Sequence, residues 1–322
     1  KKSDEDGTTP TENTQAMLVD CGSMKKIDNE VFKKLNNSLI EADKRYLMIT
    51  HFHSDHYNNI SKLCEQIKFD AVYLPNFFSE SVIKMELSAL VSPISATNPE
   101  LKFAKNLLLC IPNIKMHMRD SYIQFVERGT TVYNETDEYR ILWPEQSALT
   151  KKAQSTCRQI IASLTDEDRN AADRLDKLIT DAANNYLALF PAVNQRQDGV
   201  NIIHEFSKEQ ANHCYVRSQA IIEGLKNESL SLTNPKTVKK NIKSIINKIS
   251  SFQNQVCICF DNYVDNPKMP VLFLSDIDAK TYEKYIADNT NAYSLREEYF
   301  AVKVPHHGTK DYFTDRLPKS KY

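Results

Sequence analysis

No apolar run in this chain approaches the roughly 20 residues that a helix needs to cross a bilayer, so no membrane span is expected. The first sixteen residues, KKSDEDGTTPTENTQA, lack the apolar centre and cleavage site of a secretory signal and read as a polar loop or tail. Neither sign of charge dominates: 41 basic and 42 acidic residues leave a formal net charge of −1. Neutralising phosphates takes clustered Lys and Arg, so strong nonspecific nucleic-acid binding by the whole surface is not expected. The seven cysteines contain no CxxC pair, and their odd number leaves at least one unpaired. That usage points to a reducing, cytoplasmic setting. Internal repeats and low-complexity tracts are also missing. What remains, 322 residues with 41% apolar and 26% charged, suits one large globular domain or a domain with a sizeable insertion.

Between residues 17 and 144, short apolar runs alternate with amphipathic stretches, the pattern of strands packed against helices in an α/β protein. AMLVDCG reads as a buried strand ending at a turn glycine, Gly22. VFKKLNNSLI places Val31, Leu35 and Leu39 on one helical line, and RYLMIT is a second strand that leads straight into His51. Ile60, Leu63, Cys64 and Ile67 mark another helical face, AVYLP another strand, and TTVYNETDEYRILWP a hairpin. From 150 to 250 the pattern changes to long helices. In the first, Thr165 and Asp168 can form a capping box, with Leu175, Leu178, Ile179 and Ala182 on one face. In the second, Val238, Ile242, Ile245 and Ile249 form an apolar side, with five lysines mostly elsewhere. An insertion of about a hundred residues needs close ends and buried apolar faces of its own, so this block reads as an inserted helical subdomain between 1–149 and 251–322. Strands resume at QVCICF, where Cys257 and Cys259 point to one face as small apolar groups, then at PVLFLSDID and FAVKVPHHGTK.

Histidine is scarce, yet five of the eight fall in two short stretches, ITHFHSDH and PHHG. On a strand-to-loop transition alternate residues project the same way, so His51 and His53 can aim two ring nitrogens at one point. Asp55 and His56 can face a second point nearby. Imidazole and carboxylate suit zinc, manganese or iron, and two such cations a few Å apart serve phosphoester hydrolysis. Further ligands stand at two other strand ends: Asp276 after VLFLS, and His306 and His307 after FAVKVP. From the residues alone, either of that adjacent pair can be the ligand.

The run His51, His53, Asp55, His56 resembles the HxHxDH signature of the metallo-β-lactamase superfamily. With VDCG, YRILWP, QNQVCICF, VLFLSDID and VKVPHHGTK in that order, the chain resembles the metal-hydrolase domain of the ComEC/Rec2 DNA-uptake proteins over residues 16–145 and 250–320. The resemblance implies an αββα sandwich with two divalent metal ions, zinc or manganese. It implies His51 and His53 on the first metal, Asp55, His56 and His307 on the second, and Asp276 bridging both. His306 would contact the substrate phosphate and Asp20 would orient a ligand histidine from beneath. Asn58 and Asn59 stand where glycines usually follow the signature, which restrains that loop. The family's opening and closing strands have no counterpart, so the chain is expected to be part of a longer protein.

The expected activity is metal-dependent phosphodiester hydrolysis, foremost by a nuclease in which a metal-bridging hydroxide attacks phosphorus, with Asp55 and His306 among the catalytic groups. Nucleic acid is then the substrate, and the helical block is a surface for a protein partner or further domain. The alternatives are a hydrolase of a small phosphodiester or phosphorylcholine ester, and a regulatory or assembly module that keeps the fold. The lysine-rich helix from Lys236 to Lys248 is the local candidate for contacting nucleic acid.

Overall fold

The computed structural model describes residues 14–23, 28–91, 122–133, 138–190, 196–197, 200–203, 207–262, 269–288 and 294–321, with single positions between 108 and 114. His117, His204, Cys110 and the first thirteen residues lie outside them.

The chain is a mixed α/β protein. Its first sheet has the order β1 (Gln15–Val19), β2 (Lys44–Met48), β3 (Ala71–Pro75), β4 (Tyr122–Val126), β8 (Val200–Ile203), β7 (Arg196–Gln197). The first four strands run parallel, and the β7–β8 hairpin adds antiparallel to β4. A second sheet has the order β12 (Ala301–Lys303), β10 (Val271–Phe273), β9 (Cys259–Asn262), β6 (Glu138–Trp143), β5 (Thr131–Tyr133). In it only the β10–β12 pair is parallel. A short parallel pair, β11 (Glu298–Tyr299) and β13 (Lys319–Ser320), completes the strands. β1 starts at Gln15, inside the stretch that composition marks as a tail, because the Thr14 amide and hydroxyl are held by Asp43.

Period-two alternation divides the strand residues between two apolar clusters. Tyr46, Met48, Ala71 and Tyr73 of the first sheet join Val132, Ile141, Ile258 and Phe260 of the second, so the two sheets meet face to face. The alternate residues, Leu47, Val72, Leu74 and Ile123, join the helices instead. Cys257 and Cys259 are buried and fall together in that helix-side cluster, and every cysteine among the described residues is free.

Around the first sheet lie α1 (Asn29–Ile40), the one-turn α2 (Ser54–Tyr57), α3 (Ile60–Cys64) and α4 (Glu80–Leu90). The long block supplies α5 (Gln146–Thr165), α6 (Arg169–Leu187), α7 (Lys208–Ser229) and α8 (Pro235–Val256). α4 packs on α5 and α6, and α5 on α8, so the apolar faces of the block are continuous with the core of the first sheet. Leu175, Ile179, Val238, Ile245 and Ile249 are buried there, with Leu178 and Ile242 partly so. The expected Thr165–Asp168 capping box is not formed. Thr165 ends α5 with its hydroxyl on the Ile161 carbonyl, and Asp168 itself caps α6 by accepting from the Asn170 and Ala171 amides. The chain reverses between them through left-handed Asp166 and Glu167, which leaves no room for a shared turn. The box that does form joins Ser207 and Gln210 at the start of α7. Among the described residues, no helix is long and apolar enough to cross a membrane.

Two buried polar features stand out. Arg140 makes a two-pronged contact with Asp261 at 3.0 and 2.7 Å, and Tyr299 donates to the same carboxylate at 2.9 Å, stitching β6 to β9. Glu86 is wholly buried on α4, with only the Gln253 amide 3.5 Å from its oxygens. α4 has no amphipathic stripe, because it is buried nearly all round, which hides it from periodicity. Burial pushes the Glu86 carboxyl up to about 8, against a lowering by Gln253. Between the ordinary value of 4.5 and about 8 the folded chain therefore holds a proton that the unfolded chain has released. Stability falls as pH rises through that window. Glu86→Gln should flatten this slope and raise stability at pH 8 by roughly 2–4 kcal/mol in urea unfolding; an unchanged slope would show Glu86 ionised in the fold.

Candidate metal centre

Four parallel-strand ends, two from each sheet, deliver the polar side chains to one place. β1 ends at Asp20, β2 runs into His51, β10 into Ser275 and Asp276, and β12 into His306 and His307. Asp55 and His56 ride on α2, one turn after His53. Such a location lets rigid strands aim groups that must stay polar. His51, His53, His56 and Asp276 are buried, whereas the His307 side chain is 62% exposed. Two sets of ligating atoms result, each within 4.8 Å: His51, His53 and Asp276, and Asp55, His56 and His307.

The hydrogen bonds decide which nitrogen each ring offers. Ser275 Oγ donates to Thr50 Oγ1 at 2.8 Å, and Thr50 Oγ1 donates to Asp20 Oδ2 at 2.8 Å. The hydroxyl's one proton is thus committed, so His51 Nδ1, 3.1 Å away, must be the donor. His51 Nε2 is left as an acceptor, hydrogen-bonded to His53 Nδ1 at 3.1 Å. That spacing is close to the about 3.3 Å edge of a tetrahedron with ~2.05 Å metal–nitrogen bonds. His56 Nδ1 donates to Asp20 Oδ2 at 2.8 Å, which leaves Nε2 buried with no hydrogen-bond partner. That orphaned nitrogen lies 3.4 Å from Asp276 Oδ2 and 3.8 Å from Asp55 Oδ2. A buried ring nitrogen without a hydrogen-bond partner is costly, and a divalent cation is a partner that this set of nitrogens and carboxylates fits.

The electrostatics agree. Burial, then the neighbouring His56 and His53, push His51 well below its ordinary value, and burial takes His53 to about 4. Both are neutral at pH 7, as ligation requires. Burial alone would lower His56 too, but its hydrogen bond to Asp20 and the nearby Asp276 carboxylate raise it to about 10. Burial pushes the Asp276 carboxyl up, but contact with His56 and the proximity of His51 and Lys303 outweigh it and hold the group well below the usual range. Without metal the cluster thus keeps a proton on His56, which a cation would displace.

Backbone strain concentrates here. Asp20, Ser275, His306 and His307 all have positive φ, at 59°, 47°, 42° and 56°. Non-glycine residues in that region each cost of order 1–3 kcal/mol and persist where surroundings hold them. Gly22 has a different reason: a Cβ there would lie 2.2 Å from the Asp55 carbonyl carbon and 2.4 Å from the His56 nitrogen. Asn58 replaces a glycine's freedom with a clamp, accepting from the Ser23 amide at 3.0 Å and donating to its carbonyl at 2.7 Å.

The candidate ligands, with Asp20 and His306, are all brought to this centre, whereas the lysines of α8 are not. Asp20 lies beneath His56, Asp276 between the two sets, and His307 with Asp55 at 3.8 Å. His306 stands at the rim, its Nε2 3.8 Å from Asp276 Oδ2 and its Nδ1 2.8 Å from Thr309 Oγ1. His213, by contrast, is exposed on α7. Sequence reasoning missed Thr50 and Ser275, whose hydroxyls carry no pattern. It also missed Lys303, which holds the Ser275 carbonyl at 2.8 Å and faces Asp276 Oδ1 at 3.5 Å, and Tyr312, which stacks on His306 at 4.0 Å. The VKVPHHG alternation points Lys303 toward the ligand side, a signal that was available. No family model, curated protein or solved structure matches the chain, so function is read from these side chains.

Replacing Asp20 by Asn lets an amide N–H face His56 Nδ1, favouring the tautomer that blocks Nε2. Affinity for zinc or manganese should fall about 10–100-fold with the fold intact, measured by competition with a chromogenic chelator; undiminished affinity would remove Asp20 from the orienting role.

Proposed function

We propose that the chain is a metal-dependent hydrolase of phosphodiester bonds, a nuclease built on the metallo-β-lactamase fold. The observation that carries this reading is the pair of ligand sets, His51–His53–Asp276 and Asp55–His56–His307, with Asp276 Oδ2 within 3.8 Å of His51 Nε2 and 3.4 Å of His56 Nε2. Two facing sheets with helices packed on the outer side of the first support the fold assignment.

His51 and His53 would hold one ion, Asp55, His56 and His307 the other, and Asp276 both. When bound, such a pair activates water at neutral pH and neutralises charge developing on a phosphoryl group. The chain's own residues do the rest. Asp20, Thr50 and Ser275 keep the ring nitrogens aimed, and Lys303 holds the turn of Asp276 in place. His306 has Nδ1 committed to Thr309, so its Nε2 faces the cluster, where it would contact a phosphoryl oxygen. Exposure of His307 opens the centre to solvent on one side, which suits a polymeric substrate.

Elemental analysis, followed by incubation with plasmid DNA, linear DNA, RNA and bis-nitrophenyl phosphate in manganese or zinc, tests the reading. Cleavage of the small ester alone would assign a small-phosphodiester hydrolase, and no metal with no cleavage would leave a non-enzymatic module. His53→Ala should reduce hydrolysis to background without unfolding the chain, since the ligands sit on strand ends. Asp276→Asn should lower occupancy of both metals together, because the carboxylate contributes charge to each; loss of only one would end its bridging role.

A further inference from the structure

A second polar feature lies two residues beyond Asp276. A cleft of about 250 Å³ is lined by Trp143, Tyr285, Lys152, Lys280 and Lys284, together with Asp278. The two rings stack at 4.8 Å, and Lys284 Nζ sits 4.8 Å from the Tyr285 centroid. Trp143 Nε1 donates to the Gln255 carbonyl, and Gln255 donates to Asp278 Oδ2 at 2.9 Å. Asp278 also accepts from the Thr281 amide and hydroxyl, so both its oxygens are occupied within the wall. Among the described residues, none of the three lysines forms an ion pair with a carboxylate.

Charge separates this cleft from two others. Between α4, α5 and α6, Lys84 and Arg158 are outnumbered by Glu80, Asp173 and Asp176, and Lys84 pairs with Asp176 at 3.1 Å. At the start of α8, Lys236 and Lys240 share their cleft with Asp166 and Glu167. The lysine-rich helix singled out from the sequence is therefore locally neutralised where it lines a cavity. The Trp143 cleft alone of these three carries a positive excess, in a chain of net charge −1. Its volume is below the roughly 300–1,000 Å³ of sites that enclose a whole small ligand, and fits one phosphate and its sugar.

Its lining is tied through short stretches of chain to the metal centre. Asp278 follows Asp276 by two residues, at most about 7 Å of chain. Gln255 adjoins Asn254, whose amide donates to the hydroxyl of Tyr312, the ring beneath His306. Trp143 pairs with Cys259, next to Ile258, whose amide donates to the Thr50 carbonyl beside His51.

We propose that the Lys152–Lys280–Lys284 cleft binds a phosphate of a nucleic-acid strand, adjacent to the phosphodiester that the metal centre cleaves. This rests on the phosphodiesterase reading, and the test separates the two. Trp143 is the chain's one tryptophan, so its fluorescence reports the cleft directly. The full chain, with and without metal, is titrated with a labelled thymidine oligonucleotide of about 16 nucleotides, with thymidine monophosphate, and with inorganic phosphate. The oligonucleotide should perturb Trp143 and bind at least tenfold tighter than either small phosphate. The triple change Lys152→Glu, Lys280→Glu, Lys284→Glu should lower affinity at least about tenfold and reduce the log–log salt slope by about 0.7, the value for one phosphate contact on a single strand. Hydrolysis of bis-nitrophenyl phosphate should be spared. The corresponding triple Gln variant, gentler on folding, should lose affinity by a smaller factor in the same direction. Wild-type affinity and slope in both variants would overturn the cleft, as would a small phosphate that binds as tightly as the strand. Hydrolysis without oligonucleotide binding would overturn the cleft and leave the phosphodiesterase reading. Lysine-dependent binding without hydrolysis of any substrate would keep the cleft as a strand-binding surface and overturn that reading.

Discussion

The carboxylate of Asp20 is the constraint on which the centre depends. One oxygen accepts from the Thr50 amide; the other accepts from the Thr50 hydroxyl and His56 Nδ1. Its own amide donates to Met48 at the end of β2. A single residue in a left-handed conformation thus ties β1, β2 and α2 together, and Ser275 extends the tie to β10 through Thr50. Because a carboxylate can only accept, the direction of every proton in this relay follows from it. That His51 and His56 each donate through Nδ1 and turn Nε2 inward is a consequence of that one acceptor.

The same relay accounts for how imidazoles and a carboxylate can be buried at the junction of two sheets. Unpaired, they would be expensive. Here each has a partner on its outer side, and the inner sides converge where a cation's charge would replace the proton on His56. The strained backbone at Asp20, Ser275, His306 and His307 belongs to this account, since strain survives where several contacts hold it.

The long helical block is joined to the centre at its C-terminal end. α8 places Ser250 Oγ 3.5 Å from His53 Nε2, and Asn254 against Tyr312 beneath His306. Gln253 reaches Glu86 on α4, and the Gln255 carbonyl holds Trp143. The last turns of α8 therefore touch the metal cluster, the core and the lysine cleft, which makes the block a structural part of the site's surroundings.

Spacing alone brought out HFHSDH, Asp276 and the PHHG pair, because ligands on strand ends must recur at short, regular intervals, and the apolar runs before them marked the strands that carry them. Helices with one wet face were equally legible; α4, buried nearly all round, was not, and neither was the proton on Glu86 within it. Tertiary structure alone decided which ring nitrogens are free, since that depends on Asp20 meeting Thr50 across 30 residues and Ser275 meeting Thr50 across 225. It alone also decided that Lys152, Lys280 and Lys284 gather in one cleft beside Trp143, whereas Lys236 and Lys240 of α8 share theirs with Asp166 and Glu167. Local periodicity reports the faces of an element, while a tautomer or an ion pair is set by whatever another part of the chain brings to that face.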